Sequence, residues 1–286
     1  MTEPRVGFVG LGNMGSVLAA NLVASGLDVA THDVAGPGRS PEGAHFVPDL
    51  AEVATHCDVV VLSLPDGEVS ERVCRAVVGV ATRRVAHVVD TSTIGVAAAR
   101  AIHGLLSEAE VGYVDAPVSG GVAGAQARTL SVMVAGSERA CAAVEPVLAG
   151  LSDRRRRVGD RPGMAQALKL ANNFLSATAL AATSEAVAFG LSAGLDMTTM
   201  LDVLNASSGQ SAATSDKFVH HVLTGLYASG FANTLMAKDL RLYLGAVGDE
   251  HTPSVLGTVT AAVWERFAEA DPGADFTRIY PFVEES

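Results

Sequence analysis

The chain has 286 residues, enough for about two domains that each bury a core, so a single small stapled module is excluded. With 49% hydrophobic and 18% charged residues it is too apolar for a disordered segment. Its 20 Lys and Arg against 31 Asp and Glu leave a formal net charge of −11, which argues against nucleic acid or an anionic membrane surface as the main partner.

Glycines at Gly7, Gly10, Gly12 and Gly15 interrupt the apolar N-terminal run, so no signal segment is read there. From Arg5 to about Val158, β-branched runs alternate with helical stretches. The strands expected are Val6–Val9, Val29–His32, Val59–Leu64, Val85–Val89, Tyr113–Val114 and Leu130–Val134. This alternation is the pattern of a parallel sheet covered by helices on both faces, and the apolar run Val59-Val60-Val61-Leu62 suits a central strand. The basic run Arg154–Arg157 reads as a solvated turn rather than an anion contact, given the acidic balance of the chain.

Beyond Arg161-Pro162-Gly163 the pattern is helical alone. Met164–Gly190 has no proline to break it and could form one helix of roughly 40 Å. Further helices are expected to start at Asp196, Thr214, Asn233 and Thr252-Pro253, the last with proline in the first helical position. The fold class is therefore α/β. A Rossmann-like domain is expected over 1–162 and an all-helical domain over 163–286, joined to it by the long helix. Within that helix the charge-free stretch Leu170–Ser184 falls short of the roughly 20 apolar residues of a membrane span, so no membrane partner is expected. Cys57, Cys74 and Cys141 form neither a C-x-x-C pair nor a disulfide framework, which suits a reduced, cytoplasmic protein.

The first strand runs into Gly10-Leu11-Gly12-Asn13-Met14-Gly15, followed directly by a helical stretch. In that G-x-G-x-x-G the first glycine permits a tight turn, the second lets the backbone approach a pyrophosphate, and the third lets helix and sheet pack closely. Asp33 closes the second strand about 20 residues downstream, where a carboxylate accepts both ribose hydroxyls of NAD. The same charge repels the 2′-phosphate of NADP, so NAD is favoured and NADP is less suited. Arg39, in the Gly/Pro-rich loop that follows, would reach that phosphate only if the loop folds back.

Four stretches resemble the β-hydroxyacid dehydrogenases, the family of 3-hydroxyisobutyrate dehydrogenase and tartronate semialdehyde reductase, over most of the chain. Phe8 through Gly15 resembles the cofactor signature, including Met14. Asp115-Ala116-Pro117-Val118-Ser119-Gly120-Gly121 resembles the substrate-binding motif, Gly163 through Lys169 to Asn172-Asn173 the catalytic motif, and Lys238-Asp239-Leu240 the cofactor-side lysine motif. The resemblance implies Lys169 as general acid/base, Asn173 as the residue that orients substrate, Ser119, Gly120 and Gly121 around a substrate carboxylate, and Asn172 as a further substrate-binding residue. It also implies Leu64, Pro65, Thr93 and Lys238 against the dinucleotide, and a homodimer or homotetramer.

Physical sense agrees with these roles. Adjacent Gly120 and Gly121 leave backbone N–H groups unscreened beside the Ser119 hydroxyl, a suitable carboxylate cradle. Lys169, Asn172 and Asn173 stand three and four residues apart, near one helix face, in apolar company with Leu168, Leu170 and Phe174. The alanine-rich long helix would allow close approach of a second subunit.

Arg128, where the family usually has glycine, and Ala165, where it usually has a second glycine, depart from the pattern. The segment Ser207–Ser211 lacks the Arg and Trp often found there, which bears on the substrate. No G-x-S-x-G occurs, and the neighbours His220 and His221 lack the i,i+4 spacing of a metal pair, so neither a hydrolase nucleophile nor a metal site is expected. The expected function is an NAD-dependent oxidoreductase that interconverts a small β-hydroxyacid bearing a carboxylate with its semialdehyde or keto form by hydride transfer. The alternatives are an imine reductase-like or 6-phosphogluconate-type dehydrogenase of the same fold, or a non-catalytic dinucleotide-binding regulator.

Overall fold

The computed structural model describes residues 4–285. The chain divides into two compact units, Met1–Lys169 and Leu170–Ser286, with the division inside one long helix.

The first unit contains β1 (Val6–Val9), α1 (Gly15–Ala24), β2 (Val29–His32), β3 (His45–Phe46), α2 (Leu50–His56), β4 (Val59–Leu62) and α3 (Gly67–Val78). It continues with β5 (His87–Asp90), α4 (Val96–Glu108), β6 (Gly112–Asp115), β7 (Val118–Ser119), α5 (Gly121–Gln126), β8 (Ser131–Ala135), α6 (Glu138–Ala143), α7 (Glu145–Leu151) and β9 (Arg154–Gly159). One sheet runs β3-β2-β1-β4-β5-β6-β8-β7, with β9 paired to β8. The strands from β1 to β6 pair in parallel, while β8 runs antiparallel to β6 and β7.

All residues of β1 and β4 are buried, as a strand covered on both faces requires. Alternate side chains enter two cores. Val6, Phe8, Val59 and Val61 join Leu18, Leu22 and Leu148 on one face, and Val9, Val60 and Leu62 join Val73, Ile102 and Leu106 on the other. Each large side chain buried in this way contributes roughly 1.5–3 kcal/mol. The parallel order with β1 between β2 and β4 places a topological switch point beside β1, where ligands bind in doubly wound sheets.

The arginine run is not a turn. Arg154–Gly159 is β9, parallel to β8, with Arg155 paired to Glu145 at 2.8 Å and donating to Ser152 O at 2.6 Å. Charged side chains on such a strand keep it from recruiting another edge, and they hide the apolar alternation that marks inner strands.

The second unit is helical. It contains the greater part of α8 (Met164–Ser192), then α9 (Met197–Asn205), a π-helical segment Ala213–Val222, α10 (Asn233–Asp249), α11 (Val255–Ala270), a 3₁₀ turn Phe276–Arg278 and α12 (Ile279–Glu284). Asp196 caps α9 by accepting from Thr198 N and Thr199 N, as expected. The helix expected at Thr214 is the π segment, entered through Ser211, whose hydroxyl accepts from Ala213 N at 3.1 Å. Pro253 lies before α11 rather than in its first turn.

Trp264, Phe267, Phe218, Leu180 and Leu240 form the core of this unit, with Trp264 Nε1 donating to Ala177 O at 3.2 Å. Among the described residues, α8 alone is long and apolar enough to cross a membrane by length and composition. Its Ala177, Leu180 and Val187 lie in the core of the second unit, and Gln166, Lys169, Asn172 and Asn173 stand in its N-terminal half.

Candidate active site

Parallel register aligns the C-terminal ends of five strands. Val9 pairs with His32 and Leu62, Leu62 with Asp90, and Asp90 with Asp115. The segments that leave these ends begin at Gly10, Asp33, Ser63, Thr91 and Ala116, so most of the expected site residues of the first unit start from one sheet edge.

The glycine loop separates two kinds of glycine. A Cβ on Gly10 would lie 2.3 Å from Ser63 O, and one on Gly15 would lie 2.0 Å from Gly10 O, so the chain itself requires both glycines. A Cβ on Gly12 would meet nothing within 4 Å. The open space above Gly12 lies beside the start of α1, which has no side-chain cap, and its first-turn N–H groups suit a phosphate. These features fit a dinucleotide pyrophosphate.

Asp33 Oδ2 accepts from Leu11 N at 2.5 Å and its Oδ1 from Ala35 N at 2.7 Å. The carboxylate is thereby tied to the glycine loop and keeps lone pairs for hydroxyl donors. The loop after it does fold back, because Arg39 Nη1 donates to Asn13 Oδ1 at 2.9 Å. On the next strand ends, Leu64 N donates to Ser92 Oγ at 2.8 Å, which links the Leu64-Pro65 segment to the one carrying Thr93.

Ser119 ends β7, and Gly120, at φ 134°, opens α5 together with Gly121. A positive φ of that size favours glycine at the turn. Lys169 is only 8% exposed on α8, at the end of the first unit. In the second unit Asn173 is 6% exposed and donates to Asp239 Oδ2 at 2.6 Å. Lys238 Nζ lies 3.1 Å from Asp239 Oδ1, in an ion pair without hydrogen-bond alignment. Asn172 is exposed and donates to Asn173 Oδ1 at 3.2 Å, so it borders the face that buries Asn173.

Sequence reasoning passed over Asp239 although it stands inside the lysine motif. A buried carboxylate beside Lys238 needs partners, and that was the available signal. It also passed over Asp90. Burial pushes this carboxyl from 3.8 to about 6, against hydrogen bonds from Ser92 that favour the charged form.

Comparison with known proteins adds the family. Residues 5–159 match the NAD binding domain of 6-phosphogluconate dehydrogenase, and residues 163–283 match the NAD-binding family of NADP-dependent 3-hydroxyisobutyrate dehydrogenase. A 2-(hydroxymethyl)glutarate dehydrogenase of Eubacterium barkeri is 33% identical over 266 residues, 91% of this chain and 88% of that protein. The chain belongs to the β-hydroxyacid dehydrogenase family. The structure of 3-hydroxyisobutyrate dehydrogenase from Mycobacterium tuberculosis with L-serine superposes with a TM-score of 0.91 at 32% identity, covering 99% of each chain. An imine reductase from Myxococcus stipitatus shares the fold alone, at 19% identity and a TM-score of 0.65 over 99% of this chain and all of that one.

This β-hydroxyacid dehydrogenase is thus an NAD(P)-dependent oxidoreductase acting on CH–OH groups. Its two departures from the family pattern are accommodated locally. Arg128 sits at φ 56° and donates to Asn21 O at 3.4 Å and Ala149 O at 3.1 Å, bonds that offset the roughly 1–2 kcal/mol cost of a left-handed non-glycine residue. The methyl of Ala165 is buried with Met133 and Ala135.

Proposed function

We propose that this enzyme interconverts a short β-hydroxyacid of the 3-hydroxyisobutyrate type with its semialdehyde, preferring NAD, with Lys169 as general acid/base. The observation that carries the reading is the burial of Lys169 on an apolar stretch of α8, followed one turn later by Asn173 on the Asp239 carboxylate. A lysine amine at that point of the helix supplies a group that can exchange a proton with a substrate hydroxyl.

The dinucleotide supplies the hydride acceptor. Lys169 Nζ takes the hydroxyl proton as the carbinol carbon is oxidised, and returns it to the developing alkoxide in the reverse direction. Ser119 Oγ and the N–H groups of Gly120 and Gly121 hold the substrate carboxylate. Asn173, oriented by Asp239, and Asn172 complete the binding of the substrate. Gly10 through Gly15, Asp33, Leu64, Pro65, Thr93 and Lys238 hold the cofactor. The relatives that act on 3-hydroxyisobutyrate and 2-(hydroxymethyl)glutarate support this substrate class. We also assign the enzyme to a homo-oligomer in the cytoplasm, in keeping with its free thiols and the exposed apolar residues of α8.

The test is NADH production with 3-hydroxyisobutyrate, 2-(hydroxymethyl)glutarate and L-serine, using wild type, Lys169→Ala and Lys169→Arg. Lys169→Ala should lower kcat by about 10² or more with little change in NAD affinity, and the guanidinium of Lys169→Arg should not rescue it. Near-normal kcat in Lys169→Ala, with chemistry shown to be rate-limiting by a deuterium isotope effect, would remove Lys169 from the role. Binding of NAD without turnover of any hydroxyacid would favour the regulator instead.

A further inference from the structure

A buried polar network in the first unit joins three of the segments assigned above. Asp115 ends β6, and its Oδ2 accepts from Gly163 N at 2.9 Å and from Gln166 N at 3.1 Å. These N–H groups belong to the start of α8, so a carboxylate remote in sequence acts as the helix cap. Asp115 Oδ1 accepts from Gln166 Nε2 at 2.8 Å. Gln166 is fully buried, and its Nε2 also donates to Ser92 O at 3.0 Å, while its Oε1 accepts from Ile94 N at 2.9 Å and Gly95 N at 3.1 Å. Every available bond direction of the Gln166 amide is used, which fixes its orientation.

The consequence is geometric. Lys169 follows Gln166 by three residues on the same helix, so it stands within one turn of the clamped amide. Asp115 leads directly through Ala116, Pro117 and Val118 to Ser119. Thr93 lies between Ser92 and Ile94, both bonded to Gln166. We propose that Asp115 and Gln166 form a positioning clamp that sets Lys169 in register with the Ser119–Gly121 cradle and the Thr93 segment.

The proposal rests on the assignment of Lys169 as the acid/base. Asp115 and Gln166 do not touch the reacting atoms; they act through the helix. Because all the partners of Asp115 are donors, the clamp needs its carboxylate form. Burial raises Asp115 to about 6, against the hydrogen bonds of Gln166, Gly163 and Ala165. Asp90 on the neighbouring strand, Tyr113 on β6 and Cys74 on α3 are the other titratable groups of this buried cluster.

Asp115→Asn tests it. The Gln166 amide cannot turn without abandoning two backbone N–H groups, so the new Asn amide must point its NH₂ at another donor. Gln166→Met is the companion variant, which keeps the Asp115 cap on Gly163 N but cuts the link to the Thr93 segment. With 3-hydroxyisobutyrate as the probe, each change should lower kcat by about 10- to 100-fold through misplaced Lys169, while the Kd for NAD stays within about twofold in Asp115→Asn, which leaves the Gln166 bonds to the Thr93 segment in place.

In a Lys169→Ala background the same changes should cost less than about twofold more, because the residue they position is already gone. Hydrogen exchange should speed up for amides 163–170 and not for the strands β1 and β4. A kcat within twofold of wild type in both variants, or an equal loss with and without Lys169, overturns the clamp. Near-normal kcat in Lys169→Ala alone would instead overturn the acid/base assignment on which the clamp rests.

Discussion

Gly12→Ala separates what the chain needs from what its cofactor needs. Gly12 lies outside the left-handed backbone region, and a Cβ there meets no atom of the protein within 4 Å. The folded state should therefore accept the methyl, and the unfolded chain loses freedom, for a gain of about 0.4–1 kcal/mol. At roughly 2–4 °C per kcal/mol the melting temperature should hold or rise slightly. Gly15→Ala makes the contrast, because its Cβ would stand 2.0 Å from Gly10 O, well inside any contact distance. Relief needs a backbone shift of the kind that costs about 1–3 kcal/mol in a tight core. Binding should sort the two differently from stability. The Gly12 methyl occupies space assigned to the pyrophosphate, so the Kd for NAD should rise at least tenfold, or about 1.4 kcal/mol. Thermal melts together with fluorescence titration of NADH read both quantities. An NADH Kd within twofold of wild type in Gly12→Ala, or a melting point that falls as far as that of Gly15→Ala, would refute the assignment of that open space.

The wild-type enzyme should show a higher kcat/KM with NAD than with NADP, and Asp33→Ala should narrow the gap mainly by weakening NAD. Because Arg39 already reaches the glycine loop, Arg39→Ala should reduce the NADP rate and leave the NAD rate within about twofold; an unmutated enzyme that prefers NADP would make Arg39 the determinant. Asp90 and Asp115, both raised by burial to about 6 from 3.8, give stability the opposite slope to a salt-bridged carboxylate. Between about pH 6 and 4 the folded state binds the extra protons, so their destabilising charge is fully present above 6 and is relieved as the pH falls. Asp90→Asn should accordingly raise the unfolding free energy at pH 8 by about 1–3 kcal/mol, read as a higher melting temperature, and change it little at pH 4.5; equal effects at both values would contradict the burial argument. Light scattering should give a mass above the 29.3 kDa monomer, and Phe189→Asp, at a residue 75% exposed on α8, should shift it toward that monomer.

What could be read from the sequence were features carried by neighbouring residues. The glycine motif, the apolar run of β4 and the uninterrupted α8 each declare themselves within a window of a few turns, and each has its expected place in the fold. The strand β9 did not, because an edge strand of arginines has no apolar alternation to reveal it. The π segment was open to misreading for another reason. Its residues would also fit an α-helix, and only the i→i+5 bonding after the Ser211 turn distinguishes the two. Of the site, the cofactor loop and the apolar setting of Lys169 were legible, whereas the bonds that orient them were not. Asp115 and Gln166 are 51 positions apart, and Asn173 and Asp239 are 66 apart, so no spacing rule links them. Such pairs become visible only when burial forces each polar group to find a partner. A buried carboxylate at a strand end, or beside a lysine, is therefore worth tracing to its donors before its role is assigned.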